Sequence, residues 1–424
     1  MIKDKGKKHR ILISGGYGNG NAGDEALLIT MLEHLRNELG DDCEIKIFSD
    51  DVSYSCKRFK EHFIYSGGRG IFEEDKKGLS SIQWFYRNIR AIIWCDLFIT
   101  GGGTILQDST NIFFIPFWLS KIFLAMVFRK KTMMYGIGVG PMNSQLMRFL
   151  SKIIVNRMDL ITLRGKLSYY VLRDMNVKRP SICITADPAV ALKPSPEVTA
   201  RKILKSEGID INCKFVGFCV RQWYITHRKS LRGKPYWSEE NRRKYEGIIE
   251  SFAKIADHII ARHKRHILFI PMSIVGTKDD RAAANDIAGK MIQRLEYVHI
   301  IKGDYSPQDI KCLIGQCSAL IAMRLHSAIF AVPLRVPLIP IAYGMKMEDF
   351  MGEFGLGDHV IRLDGISDDD LLTRVDEVLM NPQDFIAPES KIEDAIYKAL
   401  QNSSLAVQLL KSIRALVLKS ILSI

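Results

Sequence analysis

The sequence has no closely paired cysteines and no cysteine–histidine cluster. Its eight cysteines form no C-x-x-C pair, and no histidines accompany them at zinc-finger spacing, so a structural metal is not expected. Several, such as Cys183 and Cys219, stand in apolar strand-like runs, where a reduced cysteine behaves as a small hydrophobic residue. The cysteine pattern therefore predicts a reducing, cytoplasmic environment.

The start of the sequence is not expected to act as a signal peptide, and the sequence has no apolar run long enough to span a bilayer. Its basic first ten residues precede only three apolar residues before Ser14, too few for a signal-peptide core. Residues 112–128 are almost continuously apolar, but they include a proline, a serine and a lysine and fall short of the roughly 20 residues needed to cross a membrane. We expect a buried or interfacial helix there.

Acidic residues are outnumbered by basic ones, which gives the 424-residue chain a net charge of +13. This charge predicts an anionic partner: nucleic acid, an acidic lipid surface or a phosphorylated substrate. Nucleic acid is the least attractive of these, because no recognised nucleic-acid-binding module accompanies the charge. The apolar fraction of 47% is that of a globular protein, and the length favours two domains.

Short apolar runs alternate with helix-length amphipathic stretches along the whole chain, a pattern typical of βα units in a parallel sheet. Strands are predicted at residues 10–14, 44–48, 97–100, 133–136, 160–163 and 182–185, and again at 215–220, 267–271, 298–301, 319–322, 338–341 and 360–363. We therefore predict an α/β fold with two doubly wound Rossmann-like domains that face one another across a substrate cleft.

Two prolines at residues 193–197 mark the predicted linker. The expected domains are residues 1–193 and 194–385, followed by a helical tail at 386–424. From residue 405 this tail is rich in Leu, Ile and Val, with basic but no acidic residues. It is predicted to pack back on the first domain, and it also fits an anionic membrane surface.

A glycine-rich turn follows the first strand. Its Gly18-x-Gly20-x-x-Gly23 string matches the dinucleotide-binding fingerprint only formally, with Asp50 after the next strand. Asp24 and the next residue, Glu25, would repel a pyrophosphate, although acids at a helix start also suit the helix dipole. We favour Asp24 as a functional carboxylate that faces the cleft.

Two further glycine-rich turns end strands in the first half, one with Gly102 and Gly103 and the other with Gly138. Glycine keeps side chains away from a binding site, so repeated turns of this kind favour close approach of the backbone to a ligand.

Arg164 adds a guanidinium at another predicted strand end, where a surface salt bridge is the common alternative.

In the second half, an apolar strand leads directly into Arg324 and His326. Ligands of open α/β sheets lie beyond the carboxyl ends of the strands, so these residues are placed to bind an anion and to move a proton. A core histidine beside a buried ion pair is the structural alternative. Lys346 follows the next predicted strand.

Arg221 also follows a predicted strand and begins a basic stretch. The further basic residues of this stretch are Arg228, Lys229, Arg232, Lys234, Arg242, Arg243 and Lys244. A solvated basic face is the usual explanation, and an anionic acceptor at the cleft edge is the functional one.

Six motifs occur in a fixed order between about residues 11 and 355: G-x-G-N-x-G-D-E-A-L-L, G-G-G-T-I-L-Q-D, Y-G-I-G-V-G-P, T-A-D-P-A, V-R-Q-W and M-R-L-H-S-A-I-F-A. Together they resemble the polysaccharide pyruvyl transferase family, including its CsaB-like members. The resemblance implies a GT-B-like fold and transfer of pyruvate from phosphoenolpyruvate to a sugar as a ketal.

By the same resemblance, Asp24, Arg164, Arg324, His326 and Lys346 match positions tied to activity. Arginines and a lysine suit phosphoenolpyruvate, which carries a phosphate and a carboxylate. We expect His326 to act as general acid and Asp24 to deprotonate a sugar hydroxyl, without a metal or redox cofactor.

The expected acceptor is a sugar of a bacterial surface polysaccharide or its lipid-linked precursor, handled in the cytoplasm or at the inner face of the cell membrane. Two other functions fit the sequence: a GT-B glycosyltransferase that uses a sugar nucleotide, and a non-catalytic, membrane-associated protein of glycan assembly. The oligomeric state is left open.

Overall fold

The computed structural model describes residues 8–66, 81–108, 114–223, 238–275, 279–292, 295–365 and 367–412. The chain divides into two compact units. Unit 1 comprises residues 1–19, 27–188 and 395–424, and unit 2 comprises residues 20–26 and 189–394. The division at residue 188 lies near the predicted linker, and the end of the chain groups with unit 1.

Unit 1 contains an eight-stranded sheet in the order β3-β2-β1-β4-β6-β7-β8, with β5 paired to β6, and all of its pairs are parallel. Its strands are β1 (His9–Ser14), β2 (Cys43–Ser49), β3 (His62–Tyr65), β4 (Leu97–Gly101), β5 (Thr104–Leu106), β6 (Lys131–Val139), β7 (Leu160–Leu163) and β8 (Ser181–Ile184). The central strands are buried on both faces, which explains their continuous apolar runs.

Unit 2 contains a six-stranded parallel sheet in the order β11-β10-β9-β12-β13-β14. Its strands are β9 (Phe215–Cys219), β10 (His266–Phe269), β11 (Val298–Ile300), β12 (Cys317–Ala322), β13 (Leu338–Ala342) and β14 (Ile361–Arg362). Strand order reverses between β9 and β12, the position at which doubly wound sheets bind ligands.

The helices cover both faces of each sheet. They are α1 (Ala22–Leu39), α2 (Val52–Arg58), α3 (Ser81–Trp94), α4 (Phe114–Val127), α5 (Gln145–Val155), α6 (Lys166–Asp174), α7 (Glu197–Ser206), α8 (Glu239–His263), α9 (Asp280–Ala288), α10 (Pro307–Ile314), α11 (Leu325–Ala331), α12 (Met345–Glu353), α13 (Asp368–Met380) and α14 (Glu389–Lys411).

In unit 1, α3 to α6 pack on one face of the sheet, and α1 with the end of α14 packs on the other. Ala406, Val407 and Leu409 of α14 are buried there. Tyr135 of β6 shares a hydrogen bond of 2.5 Å with Ser403. These contacts hold the last described turns of α14 on unit 1, and residues 413–424 lie outside the described chain.

Every predicted strand is present, to within a few residues at its ends. The sequence reading missed two strands, β3 and β5, because both are short and neither shows a clear apolar period. The described part of the apolar segment 112–128 forms α4, which is 14 residues long. Among the described residues, no helix combines the length and apolarity required to cross a membrane.

Candidate functional site

Arg324 lies at the carboxyl end of β12, beside the end of β9. The amides of Met323 and Arg324 both donate to the Cys219 carbonyl, at 3.1 and 3.3 Å, and this ties the turn after β12 to β9. Arg324 then occupies the N-cap position of the short helix α11. The guanidinium therefore starts from the switch point of the unit 2 sheet, and its role in binding an anion stays a prediction.

Asp280 holds the guanidinium of Arg324 in place. Its carboxylate accepts from Arg324 Nε at 3.0 and 3.2 Å and also from Nη2, and only 3% of Asp280 is exposed. Burial raises the pKa of Asp280, while the Arg324 charge opposes that rise. Burial by itself would lower the pKa of Arg324, but the facing carboxylate raises it, so the guanidinium stays charged.

The imidazole of His326 lies against Gly23 in the first turn of α1. A Cβ atom at Gly23 would be 2.1 Å from His326 Nδ1, so only glycine leaves room for the ring. Residues 20–26 belong to unit 2, and this contact is therefore internal to that unit. The third glycine of the formal dinucleotide motif therefore leaves room for the His326 ring.

Asp24 follows this glycine, and its negative charge helps to raise the pKa of Arg324. The loop after β10 links Asp280 to the chain segment that carries Asp24. The Met272 and Ser273 amides donate to Asp280 at 3.1 and 3.0 Å, and the Met272 carbonyl accepts from the Ala22 amide at 2.9 Å. Through this loop, Asp280 links the Arg324 guanidinium to the backbone that carries Asp24.

Arg221 and Lys346 lie at the same carboxyl edge of unit 2. Arg221, after β9, donates to the Tyr343 hydroxyl at 3.2 Å and stacks over its ring at 5.3 Å. Its charge also opposes the rise that burial causes in the pKa of Asp280. Lys346 is half-buried in the first turn of α12, just after β13. Unit 2 thus presents three basic side chains, a histidine and a carboxylate from neighbouring chain segments.

Arg164 belongs to unit 1. It follows β7, and its Nη1 lies 2.7 Å from the buried Asp187 carboxylate, while Nη2 donates to Thr104 Oγ1 at 3.2 Å. A Cβ atom at Gly138 would lie 3.0 Å from Arg164 Nε, so this glycine accommodates the guanidinium. The ion pair is buried, unlike the surface salt bridge that we considered as the alternative.

Gly102 and Gly103 form the turn after β4 with φ angles of +88° and +72°, which side chains rarely adopt. The Gly103 carbonyl accepts from the Gly138 amide at 3.0 Å. The glycines thus shape the backbone around Arg164 in unit 1. A direct role of these residues in binding a substrate stays a prediction, as does a joint role of Arg164 with the unit 2 residues.

Sequence reasoning missed the two buried carboxylates that hold the arginines. Asp187 stands in the T-A-D-P-A motif directly after β8, and Asp280 follows Asp279 at the start of α9, where acids are usually assigned to capping. A signal was available for Asp187, because it closely follows an apolar strand-like run, but not for Asp280, which lies well beyond the end of β10. The loop residues Arg228, Lys229, Arg232 and Lys234 lie outside the described residues.

One group with metal-ligand chemistry lies elsewhere in the described part of unit 2. His258 and His263 of α8 approach the same Asp376 oxygen of α13 at 2.8 and 2.6 Å, and Arg262 is 3.5 Å from the other oxygen. Burial raises the pKa of Asp376, but the histidine hydrogen bonds bring it below its usual value. Because α8 ends just before β10 begins, this group lies at the amino edge, and we interpret it as a contact between α8 and α13.

Comparison with known proteins gives the same family that the sequence motifs resemble. Residues 21–345 match the family model described as polysaccharide pyruvyl transferase. The chain is also similar to the amylovoran biosynthesis protein AmsJ of Erwinia amylovora, with 20% identity over 97% of this chain and 100% of that protein.

Solved structures show the same fold at low identity. The UDP-GlcNAc 2-epimerase of Methanocaldococcus jannaschii aligns with 93% of this chain and 99% of its own, at 13% identity and a TM-score of 0.57. A putative UDP-N-acetylglucosamine 2-epimerase of Listeria monocytogenes aligns with 96% and 98%, at 13% identity and a TM-score of 0.59. The predicted class, two doubly wound α/β domains of the GT-B-like type, is confirmed.

Proposed function

Because the chain belongs to the polysaccharide pyruvyl transferase family, we propose that it transfers pyruvate from phosphoenolpyruvate to two hydroxyls of a sugar, forming a ketal. The family assignment provides a transferase that acts on polysaccharide. The donor and the ketal are our proposal.

The observation that carries this proposal is the arrangement of Arg324 and His326 in unit 2. Asp280 fixes the Arg324 guanidinium, and Gly23 fixes the position of the His326 ring. A guanidinium that is already oriented loses little conformational freedom when it binds a phosphate or a carboxylate, and phosphoenolpyruvate carries both groups. Arg221 and Lys346 add positive charge at the same sheet edge.

In the proposed reaction, His326 acts as general acid and protonates the enol methylene or the departing phosphate, while Asp24 accepts a proton from an attacking hydroxyl. Two sugar O–H bonds break and two C–O bonds form at the central carbon of the donor. The methylene becomes a methyl group, and the bond from that carbon to the phosphate oxygen breaks. One hydroxyl proton ends on the methyl group and the other leaves with inorganic phosphate.

We propose a sugar of a surface polysaccharide, or of its lipid-linked precursor, as the acceptor. The family and the similarity to a protein of amylovoran biosynthesis support a polysaccharide product. We further propose that the reaction occurs in the cytoplasm. We also propose that it requires no metal or redox cofactor, because proton transfer and charge stabilisation by side chains account for each step.

Ligand binding provides the first test. Thermal melting of the full chain would be measured with phosphoenolpyruvate and, separately, with UDP-GlcNAc, because a ligand that binds only the folded state raises the melting temperature. We expect a concentration-dependent rise with phosphoenolpyruvate. A rise with UDP-GlcNAc alone would instead favour a glycosyltransferase, and no rise with either would favour a non-catalytic role.

Turnover provides the second test. The protein would be incubated with phosphoenolpyruvate and candidate lipid-linked or nucleotide-linked sugars, and phosphate release and a pyruvate ketal would be measured together. His326→Ala should lower kcat by about 10²–10⁴. His258→Ala, at the amino edge of the same unit, is the control and should retain activity. Intact turnover in His326→Ala would show that His326 is not the acid.

A further inference from the structure

Three successive helices of unit 1 expose large apolar side chains to solvent. The exposed fractions are 58% for Tyr86 and 47% for Ile93 on α3, 53% for Phe123 and 56% for Val127 on α4, and 59% for Leu146, 59% for Phe149 and 37% for Ile153 on α5. We call these seven side chains the α3–α5 face. Scattered exposed apolar residues are common on protein surfaces, but a concentration on three neighbouring helices is not.

The α3–α5 face follows helical spacing. On α5, Leu146, Phe149 and Ile153 recur at intervals of three and four, whereas Met147 and Val155 on the opposite side are buried in the unit 1 core. On α4, Phe123 and Val127 are one turn apart and outward. A helix at the surface of a globular domain normally has a charged outer side, so these helices are apolar where polar residues are expected.

The exposed side chains lie on one side of unit 1. α3, α4 and α5 all bury their inner residues in the same core cluster against one face of the sheet, and α4 packs against both of its neighbours. Their outer sides therefore form a single layer. The exposed apolar side chains therefore belong to neighbouring helices on the same side of unit 1.

The charged residues of the three helices are all basic. Ser81–Trp94, Phe114–Val127 and Gln145–Val155 contain no aspartate or glutamate. Arg87 and Arg90 are exposed on α3, and Arg129 is exposed just after α4. Arg90 also lies over the ring of Tyr86, at 5.6 Å. Apolar side chains mixed with cations are the combination by which helices bind anionic lipid surfaces.

We propose that the α3–α5 face binds an anionic phospholipid bilayer, with its apolar side chains at the level of the headgroups and its arginines on the lipid phosphates. A second copy of the chain fits less well, because a symmetric contact through this face would bring the same arginines together. This inference does not rest on the donor proposed above.

Vesicle binding of the full chain tests the proposal. Cosedimentation would be measured with phosphatidylcholine vesicles that contain or lack phosphatidylglycerol. We expect clear preference for the anionic vesicles. Replacing both Phe123 and Phe149 by Glu should weaken that binding at least about tenfold, since two large apolar side chains are lost from the interface and two negative charges are gained.

The matched control is the double variant Val198→Glu, Tyr397→Glu. These side chains are 55% and 62% exposed on α7 and α14, and the control changes the net charge by the same amount. It should bind vesicles within about twofold of the wild type, because surface substitutions away from the contact have small effects. Circular dichroism melting would confirm that both variants fold.

Three results would overturn the proposal. The first is equal binding to both vesicle types, or none. The second is an equal loss of vesicle binding in the control variant. The same holds if deletion of residues 413–424 abolishes vesicle binding while the double variant Phe123→Glu, Phe149→Glu still binds. The third is a dimer in sedimentation equilibrium that these two substitutions dissociate. Turnover of phosphoenolpyruvate with a water-soluble acceptor would be measured separately, so failure of either proposal is recognisable by itself.

Discussion

Gly23 determines where the imidazole of His326 can lie. The glycine has no side chain, and the ring occupies the space that a Cβ atom would take. We therefore expect any effect of this position on activity to come from the space that glycine leaves for the ring. A conservative substitution is therefore expected to affect activity more than stability.

Gly23→Ala would place a carbon atom 2.1 Å from His326 Nδ1, so the ring must move. We expect kcat to fall by about 10²-fold, since displacing a catalytic group by about 1 Å has an effect of this size. Phosphate release and thermal melting would be measured together. Gly247→Ala in α8, where a Cβ atom meets nothing within 4 Å, is the control. Full activity in Gly23→Ala would contradict the placement of His326.

Asp280 is expected to act as a positioning residue for Arg324. Asp280→Asn removes the charge that faces a buried guanidinium, and we expect a loss of about 3 kcal/mol in the free energy of unfolding, measured with urea. The KM for phosphoenolpyruvate should rise. Adding Arg324→Met should restore much of the stability but none of the activity, because the uncompensated charge is then gone.

Asp376→Asn is the comparison for Asp280→Asn. It alters a partly exposed carboxylate at the amino edge of unit 2, and we expect it to leave the KM unchanged. An unchanged KM in Asp280→Asn as well would show that the orientation of Arg324 does not matter for the donor.

Helix α4 carries a buried cation inside an otherwise apolar segment. The Lys121 amine donates to the Ser66 carbonyl at 3.3 Å and lies 4.2 Å from the Phe117 ring centre. Burial lowers the pKa of Lys121 from 10.5 to about 7, against the opposing charge of Asp50. This lysine explains why α4 is not simply a hydrophobic core helix.

Lys121→Met should raise the free energy of unfolding, by about 2 kcal/mol or more at pH 6.5. Below pH 7 the folded protein holds a charged amine in an apolar site. Between pH 7 and 10.5 the folded state has lost that proton and the unfolded chain has not, so wild-type stability rises with pH. The advantage of the variant should therefore shrink at pH 9.5. Urea unfolding at both pH values measures it, and a growing advantage would contradict the burial of this amine.

The elements themselves were largely predictable. Parallel strands that are buried on both faces read as short apolar runs, and for this reason the strands of both sheets were located from the sequence. The edge strand β3 and the three-residue β5 were not, because they contribute too few buried side chains to show a period.

The molecule as a whole has candidate anion-binding residues in both units. Arg164→Lys should raise the KM for phosphoenolpyruvate about tenfold if unit 1 takes part in donor binding, because a lysine cannot replace the planar fork that contacts Asp187 and Thr104. Steady-state phosphate release measures the effect. Arg148→Lys, which alters an ion pair with a largely exposed Asp174, is the control. An unchanged KM would restrict donor binding to unit 2.

The sequence by itself determined the fold class, the order of the βα units, and the candidate residues Arg324 and His326, because these depend on local apolar runs and on which residue follows each strand. Tertiary structure decided what holds those residues. Asp280 lies 44 positions from Arg324 and Asp187 lies 23 from Arg164, while Gly23 meets a histidine from the other half of the chain. Such partners become neighbours only when parallel strands place their carboxyl ends at one edge of a sheet.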